Sequence, residues 1–335
     1  MNPRRIWEAR QRLRTHSGGN TPMIRSERLS SLLGRTVLLK LETMSPVGSF
    51  KWRGATNKIM ILPDDVRSKG VCTHSTGNHA MAVAYAARQI GVPASVFVPS
   101  TMPAAKLERL QRYGASIDTT SDNQEAARTL CEATAKDRSL VVVDPFDDLD
   151  VIAGQGTIAL EILECVPDVD SVMVPVSGGG LMAGMGVALR ANATDVVLHG
   201  VSASQAPSMY ESLRSNRPVA VEEGSTIADS LLGGIGSANR YTFDLIRQEQ
   251  VQMRCASEEE IALGMSFLMV EHGMVVEGAG AVGVAAVLTG PPDDRTGPLV
   301  IIVTGQNVGR AELAQLFKTE SGALGNPGAS TDAKR

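Results

Sequence analysis

The run Val172-Met173-Val174-Pro175-Val176-Ser177-Gly178-Gly179-Gly180-Leu181 begins with apolar residues at nearly every position and breaks into three consecutive glycines. A sheet covered on both faces needs such a strand, because neither side of the pleat meets water. Glycines placed directly before a segment readable as a helix, Leu181 to Leu189, let successive backbone N–H groups converge on an anion at the helix N-terminus. The same turn can also be a plain strand-to-helix connection with no ligand.

Outward from this unit, apolar runs alternate with helical patterns. The runs are Val37 to Leu41, Gly70 to Thr73, Ala94 to Val98, Leu140 to Val143, Val196 to Val201 and Leu299 to Val303. Alternation of this kind predicts an α/β fold of parallel sheets covered by helices. His79 to Ile90 is rich in Ala and poor in β-branched residues, and Gly91-Val92-Pro93 stops it. Ala104 to Tyr113, followed by Gly114, repeats the scheme, and no solenoid period is present.

With 335 residues, 43% of them hydrophobic and 20% charged, the chain is long enough for two lobes with substantial cores. A net charge of −4 without a long Lys/Arg run, and only 4% aromatic residues, argue against a nucleic-acid surface. The N-terminal arginines around Trp7 lack the apolar stretch of a secretion signal, and no membrane-length apolar segment follows. A cytoplasmic protein with no membrane partner is the expectation. Cys72, Cys131, Cys165 and Cys255 show no paired-ligand spacing and read as buried thiols.

Three further stretches carry chemistry. Ser49-Phe50-Lys51-Trp52-Arg53-Gly54-Ala55 sets a lysine between a phenylalanine and small residues. A lysine enclosed in this way can have its amine pKa lowered and act as a Schiff-base nucleophile; the ordinary alternative is a surface lysine whose stem lies on an aromatic ring. Ser75-Thr76-Gly77-Asn78-His79 repeats the glycine-turn device after Val71-Cys72-Thr73, and His79 reads as a capping or core histidine rather than a base. Thr304-Gly305-Gln306-Asn307 closes the run Leu299 to Val303, where Thr304 alone could be a helix cap. Glu277-Gly278-Ala279-Gly280-Ala281-Val282-Gly283 contains a G-x-G-x-x-G match, but no acidic strand end follows at the distance that dinucleotide binding requires.

Taken in this order, Lys51 and the segments 75–79, 177–181 and 304–307 resemble the fold-type II pyridoxal-phosphate enzymes, among them threonine and serine dehydratases and serine racemase. The resemblance runs from about Arg14 to about Phe317. It implies a two-lobed fold like that of the tryptophan synthase β chain, each lobe a mostly parallel sheet covered by helices. Residues 1–48 and 151–321 would form the large cofactor-binding lobe and 49–150 a small lobe for the substrate carboxylate. The Gly-, Ser- and Pro-rich segment 322–335 reads as disordered.

Pyridoxal 5'-phosphate would be carried on Lys51 beside Phe50, with its phosphate on Ser177, Gly178, Gly179, Gly180 and Leu181. The resemblance implies Asn78 at the ring hydroxyl, Glu277 in the wall near the ring, and Thr304 at the pyridine nitrogen. A hydroxyl in that place leaves the nitrogen largely neutral and favours elimination over transamination. Ser75, Thr76, Gly77, Asn78 and His79 would hold the substrate, and Lys51 would remove the Cα proton. Thr76 stands where serine racemases carry the serine that protonates the opposite face, which makes it a second catalytic candidate.

Val201 to Ser208 lacks the carboxylates of the racemases' divalent site, so no metal is expected. The implied activity is β-elimination from a 3-hydroxy amino acid, giving a 2-oxo acid and ammonia. A racemase or a β-replacement synthase on the same scaffold is the alternative. Leu41-Glu42-Thr43, Ile152 to Thr157, Ala228 to Leu231 and Val275 to Ala281 are most similar to the hydroxyectoine-utilisation dehydratases. The last strand ends about thirty residues before the terminus, which predicts no second regulatory domain and favours a catabolic enzyme. A homodimer is expected from the resemblance.

Overall fold

The computed structural model describes residues 1–17, 20–310, 313, 314 and 316. Among them lie ten strands: β1 (Met23–Arg25), β2 (Val37–Leu41), β3 (Val71–Thr73), β4 (Ala94–Pro99), β5 (Ser116–Ser121), β6 (Val141–Val142), β7 (Ser171–Pro175), β8 (Val197–Ala203), β9 (Gln252–Ala256) and β10 (Leu299–Val303). They form a six-stranded sheet of order β1-β2-β10-β7-β8-β9 and a four-stranded sheet of order β5-β4-β3-β6. Only the β1–β2 pair is antiparallel. The chain leaves the larger sheet after β2, builds the smaller one, and returns at β7.

Both faces of the larger sheet are covered, as the apolar runs predict. In β10 the side chains of Val300 and Ile302 enter one core, with the helices Leu149–Cys165 and Gly180–Asn192. Leu299, Ile301 and Val303 enter the opposite core, with Glu258–His272 and Gly278–Leu288. Alternation of successive residues between two dry cores is the period-two geometry of a strand applied to a buried sheet.

Three strands have no counterpart among the apolar runs, and each is a sheet edge: β1, β5 and β9. An edge strand has one neighbour and a half-solvated surface, so sequences such as Ser116-Ile117-Asp118-Thr119-Thr120-Ser121 carry no continuous apolar signal. The expectation of four buried thiols needs correction. Cys72 and Cys131 are buried, but Cys255 is half-buried on an edge strand and Cys165 is exposed at the last position of its helix. The G-x-G-x-x-G match is not a dinucleotide turn, because Met274 to Glu277 is not a strand. Its glycines serve packing: a Cβ on Gly280 would lie 2.6 Å from Gly305 O. The segment 322–335 lies outside the described residues. Among the described residues no helix is long and apolar enough to cross a membrane.

A cluster of buried charges joins the helix that begins at Lys51 to the larger sheet. Arg53 donates to Glu42 Oε2 at 2.8 Å and Oε1 at 2.9 Å, and to Glu161 Oε1 at 2.6 Å and Oε2 at 3.0 Å. Lys40 Nζ reaches Glu161 Oε2 at 2.6 Å, and Arg10 reaches Glu161 Oε1 at 2.7 Å and Glu164 Oε2 at 2.7 Å. Burial alone would raise the Glu161 carboxyl, but Arg53 and Lys40 outweigh it and hold the group below its ordinary value. Its contribution to stability is therefore full above the unfolded carboxylate pKa and is lost as pH falls through the lowered folded value.

Removing the Glu161 charge leaves Lys40 buried without a carboxylate and Arg53 and Arg10 with one each, Glu42 and Glu164. Glu161→Gln is expected to lower the unfolding free energy by about 3–5 kcal/mol, measured by urea unfolding near neutral pH. A loss below about 1 kcal/mol would mean that the cluster is not holding the lobes together.

Candidate active site

The segments that carry chemistry follow the carboxyl ends of strands in both sheets, where open parallel sheets bind ligands. After β2 the chain passes through a short 3-10 turn, Glu42–Met44, and enters the helix Lys51–Met60, with Lys51 as its first residue. The approach is laced to the end of β10. Phe50 N donates to Thr304 O at 3.0 Å, Gln306 N donates to Gly48 O at 2.9 Å, and Ser49 pairs with Gly305.

The Lys51 amine donates to Pro145 O at 2.7 Å and lies 5.2 Å from the centre of the Phe50 ring. Burial drives its pKa down to about 8, although Asp144 and Glu277 favour the charged form. An amine so placed is half free base near pH 8, far below where an ordinary lysine loses its proton, as a nucleophile or proton acceptor requires.

Gly179 caps the helix Gly180–Asn192 at φ 90°, and the first bond into the helix is Ala183 N to Gly179 O at 2.8 Å. The amides of Gly178, Gly179, Gly180 and Leu181 have no acceptor among the described residues. Side chains would close this bare turn. A Cβ on Gly178 would enter the Phe146 ring, one on Gly179 would lie 2.5 Å from Ile246 Cδ1, and one on Gly180 would lie 2.8 Å from Phe146 O. Four unsatisfied donors at a helix N-terminus, walled by Phe146 and Ile246, suit a phosphate.

The second turn is built alike. Gly77 caps the helix Asn78–Ile90 without a side-chain bond, and the amides of Thr76, Asn78 and His79 have no acceptor among the described residues. Ser75 Oγ accepts from Gly77 N at 3.3 Å and shapes the loop. Asn78 is clamped: its Nδ2 donates to Glu277 Oε1 at 2.7 Å, and its Oδ1 accepts from Asn307 Nδ2 at 2.6 Å. Burial pushes Glu277 up to about 7, and Asp229 adds to that; Asn78, the Asn307 amide and Lys106 pull the other way. His79 Nε2 meets Val143 O at 2.9 Å. Thr304 is buried, and its hydroxyl donates to Ala279 O at 3.3 Å.

Phe50, Lys51, Asn78, Glu277, Thr304 and the glycine turn thus form one connected set, joined through Pro145-Phe146 and Gly305. Thr76 lines a cavity of about 20 Å³, room for one water, under Lys106, which pairs with Asp229. Its hydroxyl bonds none of the other site residues described. Ser177, half-buried, likewise makes no described side-chain bond. Sequence reasoning missed Asp144, Pro145, Phe146 and the clamp role of Asn307. Asp-Pro after a strand reads as an ordinary turn, and only its place at a strand's carboxyl end could have flagged it.

The two sheets, the enclosed lysine and the two bare helix N-termini define a two-lobed α/β enzyme of the fold-type II class. Residues 14–305 match the family described as pyridoxal-phosphate dependent enzyme, and the chain belongs to that family. It is 40% identical over 292 residues to the L-threonine ammonia-lyase of Thermotoga maritima, covering 86% of this chain and 71% of that one. It is 39% identical over 292 residues to a catabolic L-threonine dehydratase of Staphylococcus aureus, covering 86% and 84%. Among solved structures, maize serine racemase superposes with a TM-score of 0.87 at 30% identity, covering 96% of this chain and 98% of that one.

Pyridoxal 5'-phosphate is the cofactor of this family, and the residues present suit it: a lysine amine of lowered pKa, free amides for a phosphate, and a cradle that any Cβ would fill. Gly178→Ala should weaken cofactor binding at least about tenfold, read by absorbance titration of the stripped protein. Unchanged affinity would place the phosphate elsewhere.

Proposed function

We propose that this pyridoxal-phosphate enzyme is an ammonia-lyase that removes water from a 3-hydroxy amino acid of the threonine or serine kind and releases a 2-oxo acid and ammonia. The carrying observation is the Lys51 amine, brought to about 8 by burial and held on Pro145 O. When bound, the cofactor supplies an electron sink for the Cα carbanion. Everything else falls to this chain's own groups.

In this reading Lys51 Nζ holds the cofactor at rest and, once released, takes the Cα proton as a free base. The amides of Gly178 to Leu181 and the Ser177 hydroxyl would receive the phosphate, Phe50 and Glu277 would wall the ring, and Asn78, fixed by Glu277 and Asn307, would orient it. Thr304 would offer the pyridine nitrogen a hydroxyl rather than a carboxylate, a neutral partner that favours elimination over transamination. Ser75, Thr76, Gly77 and the amides of Asn78 and His79 hold the substrate carboxylate. Loss of the Cα proton and the β-hydroxyl makes one water; hydrolysis of the resulting imine consumes one and frees ammonia.

We assign the carboxylate-binding work to residues 49–150 and the cofactor-binding work to 1–48 with 151–321. The Staphylococcus relative is catabolic by name, which supports a catabolic role. Narrowing the substrate to an opened-ring product of hydroxyectoine rests on Leu41 to Thr43, Ile152 to Thr157, Ala228 to Leu231 and Val275 to Ala281 alone. A cytoplasmic homodimer completes the reading. Leu263 and Val270, exposed at 49% and 72% on one helix, support an association surface.

Ammonia release from threonine, serine and the hydroxyectoine-derived amino acids tests the proposal. Lys51→Ala is expected to abolish release from each substrate, whereas turnover persisting in that variant would refute the role of the amine. Racemisation is the second reading, favoured by Thr76 in the substrate loop and by the likeness to maize serine racemase. It predicts that Thr76→Ala lowers inversion at Cα at least about tenfold more than it lowers ammonia release, followed by chiral chromatography.

A further inference from the structure

His79 lies in the wall beside Lys51, and its geometry departs from that of a substrate ligand. The residue is 2% exposed, and Nε2 lies 2.9 Å from Val143 O. A carbonyl oxygen only accepts, so Nε2 carries the proton and Nδ1 keeps a bare lone pair. Nδ1 is buried and has no hydrogen-bond partner among the described residues. Burial, followed by the neighbouring Lys51, holds the imidazole down to about 3, so it stays neutral at any working pH and is no proton donor.

The oxygen that His79 grips belongs to the strand end leading to the lysine's acceptor. Thr73 Oγ1 reaches the same Val143 O at 3.1 Å. Directly after it, Asp144 Oδ1 accepts from Phe146 N at 2.9 Å and Asp147 N at 2.7 Å, closing a tight turn. The carbonyl of Pro145, within that turn, receives the Lys51 amine at 2.7 Å.

We propose that His79 is a positioning residue for the Lys51 amine: by pinning Val143 it fixes the turn whose Pro145 carbonyl the amine rests on. The proposal deepens the functional reading above, since it takes Lys51 as the reacting amine. The ionisable groups facing that amine are Asp144 from the turn, Glu277 from the segment before Gly278–Leu288, and His79 from its own helix.

The test uses full-length protein stripped of cofactor. An amine-reactive ester is applied across about pH 6 to 10, and modification of Lys51 is followed by peptide mass spectrometry. The wild type should be half-reactive near 8. In His79→Ala and His79→Asn the turn loosens and water reaches the amine; the regained hydration, desolvation being the largest cause of the lowered value, outweighs the weakened carbonyl contact, so the midpoint should rise by about one unit. His79→Gln, whose amide N–H can replace Nε2, should stay with the wild type.

With cofactor restored, kcat of the Ala and Asn variants should fall about tenfold while KM stays within about twofold, and Gln should recover most of the rate. If His79→Ala does not fold, Thr73→Val removes the other donor to Val143 O and should raise the midpoint by a smaller amount. An unmoved Lys51 midpoint in the folded variants overturns the proposal, as does a raised KM at constant kcat, the mark of a substrate ligand. Failure of the functional reading shows separately, as absent ammonia release by the wild type, because the labelling involves neither cofactor nor substrate.

Discussion

Arg53 is neutralised inside the protein by two carboxylates from different parts of the chain, Glu42 after β2 and Glu161 on the helix Leu149–Cys165. Lys51 lies two residues earlier on the same helix, so this pairing decides where its amine sits relative to both sheets. A buried ion cluster is an expensive way to gain stability, since its desolvation cost is comparable with its Coulombic gain. Its physical value here is geometric, because a guanidinium held by four hydrogen bonds to two carboxylates fixes one orientation of the helix.

The same dryness tunes the chemistry. Burial is the leading cause of the shift at three neighbouring groups: Lys51 falls to about 8, Glu277 rises to about 7 and His79 falls to about 3. In each case the charged form loses its water, so an amine and an imidazole move down while a carboxyl moves up. Lys51 and Glu277 thereby change charge at neutrality or about a unit above it. Runs of unsatisfied amides at two helix N-termini supply positive potential for anions without adding a titratable cation.

Much of this is legible in the amino-acid sequence. Buried strands announce themselves through unbroken apolar runs, and β7 and β10 were readable because both of their faces are dry. The glycine turn and the enclosed lysine were readable because few residue patterns permit bare backbone or a lowered amine pKa. The edge strands β1, β5 and β9 were not, since one solvated face erases the signal. Nor were Pro145 and Phe146: the first acts through a carbonyl oxygen that meets Lys51 across 94 residues of sequence, the second through a ring against Gly178. The charge cluster was equally silent: Lys40, Glu42, Arg53 and Glu161 each look like surface residues until the fold brings them together.

The central claim is that the Lys51 amine carries the cofactor between the two donor turns. Borohydride reduction of the yellow protein, followed by digestion and mass mapping, tests it directly. The account predicts a reduced pyridoxyl adduct on the peptide containing Lys51 and on no other. An adduct on a different lysine, or none from a protein that retains its colour and activity, would contradict it.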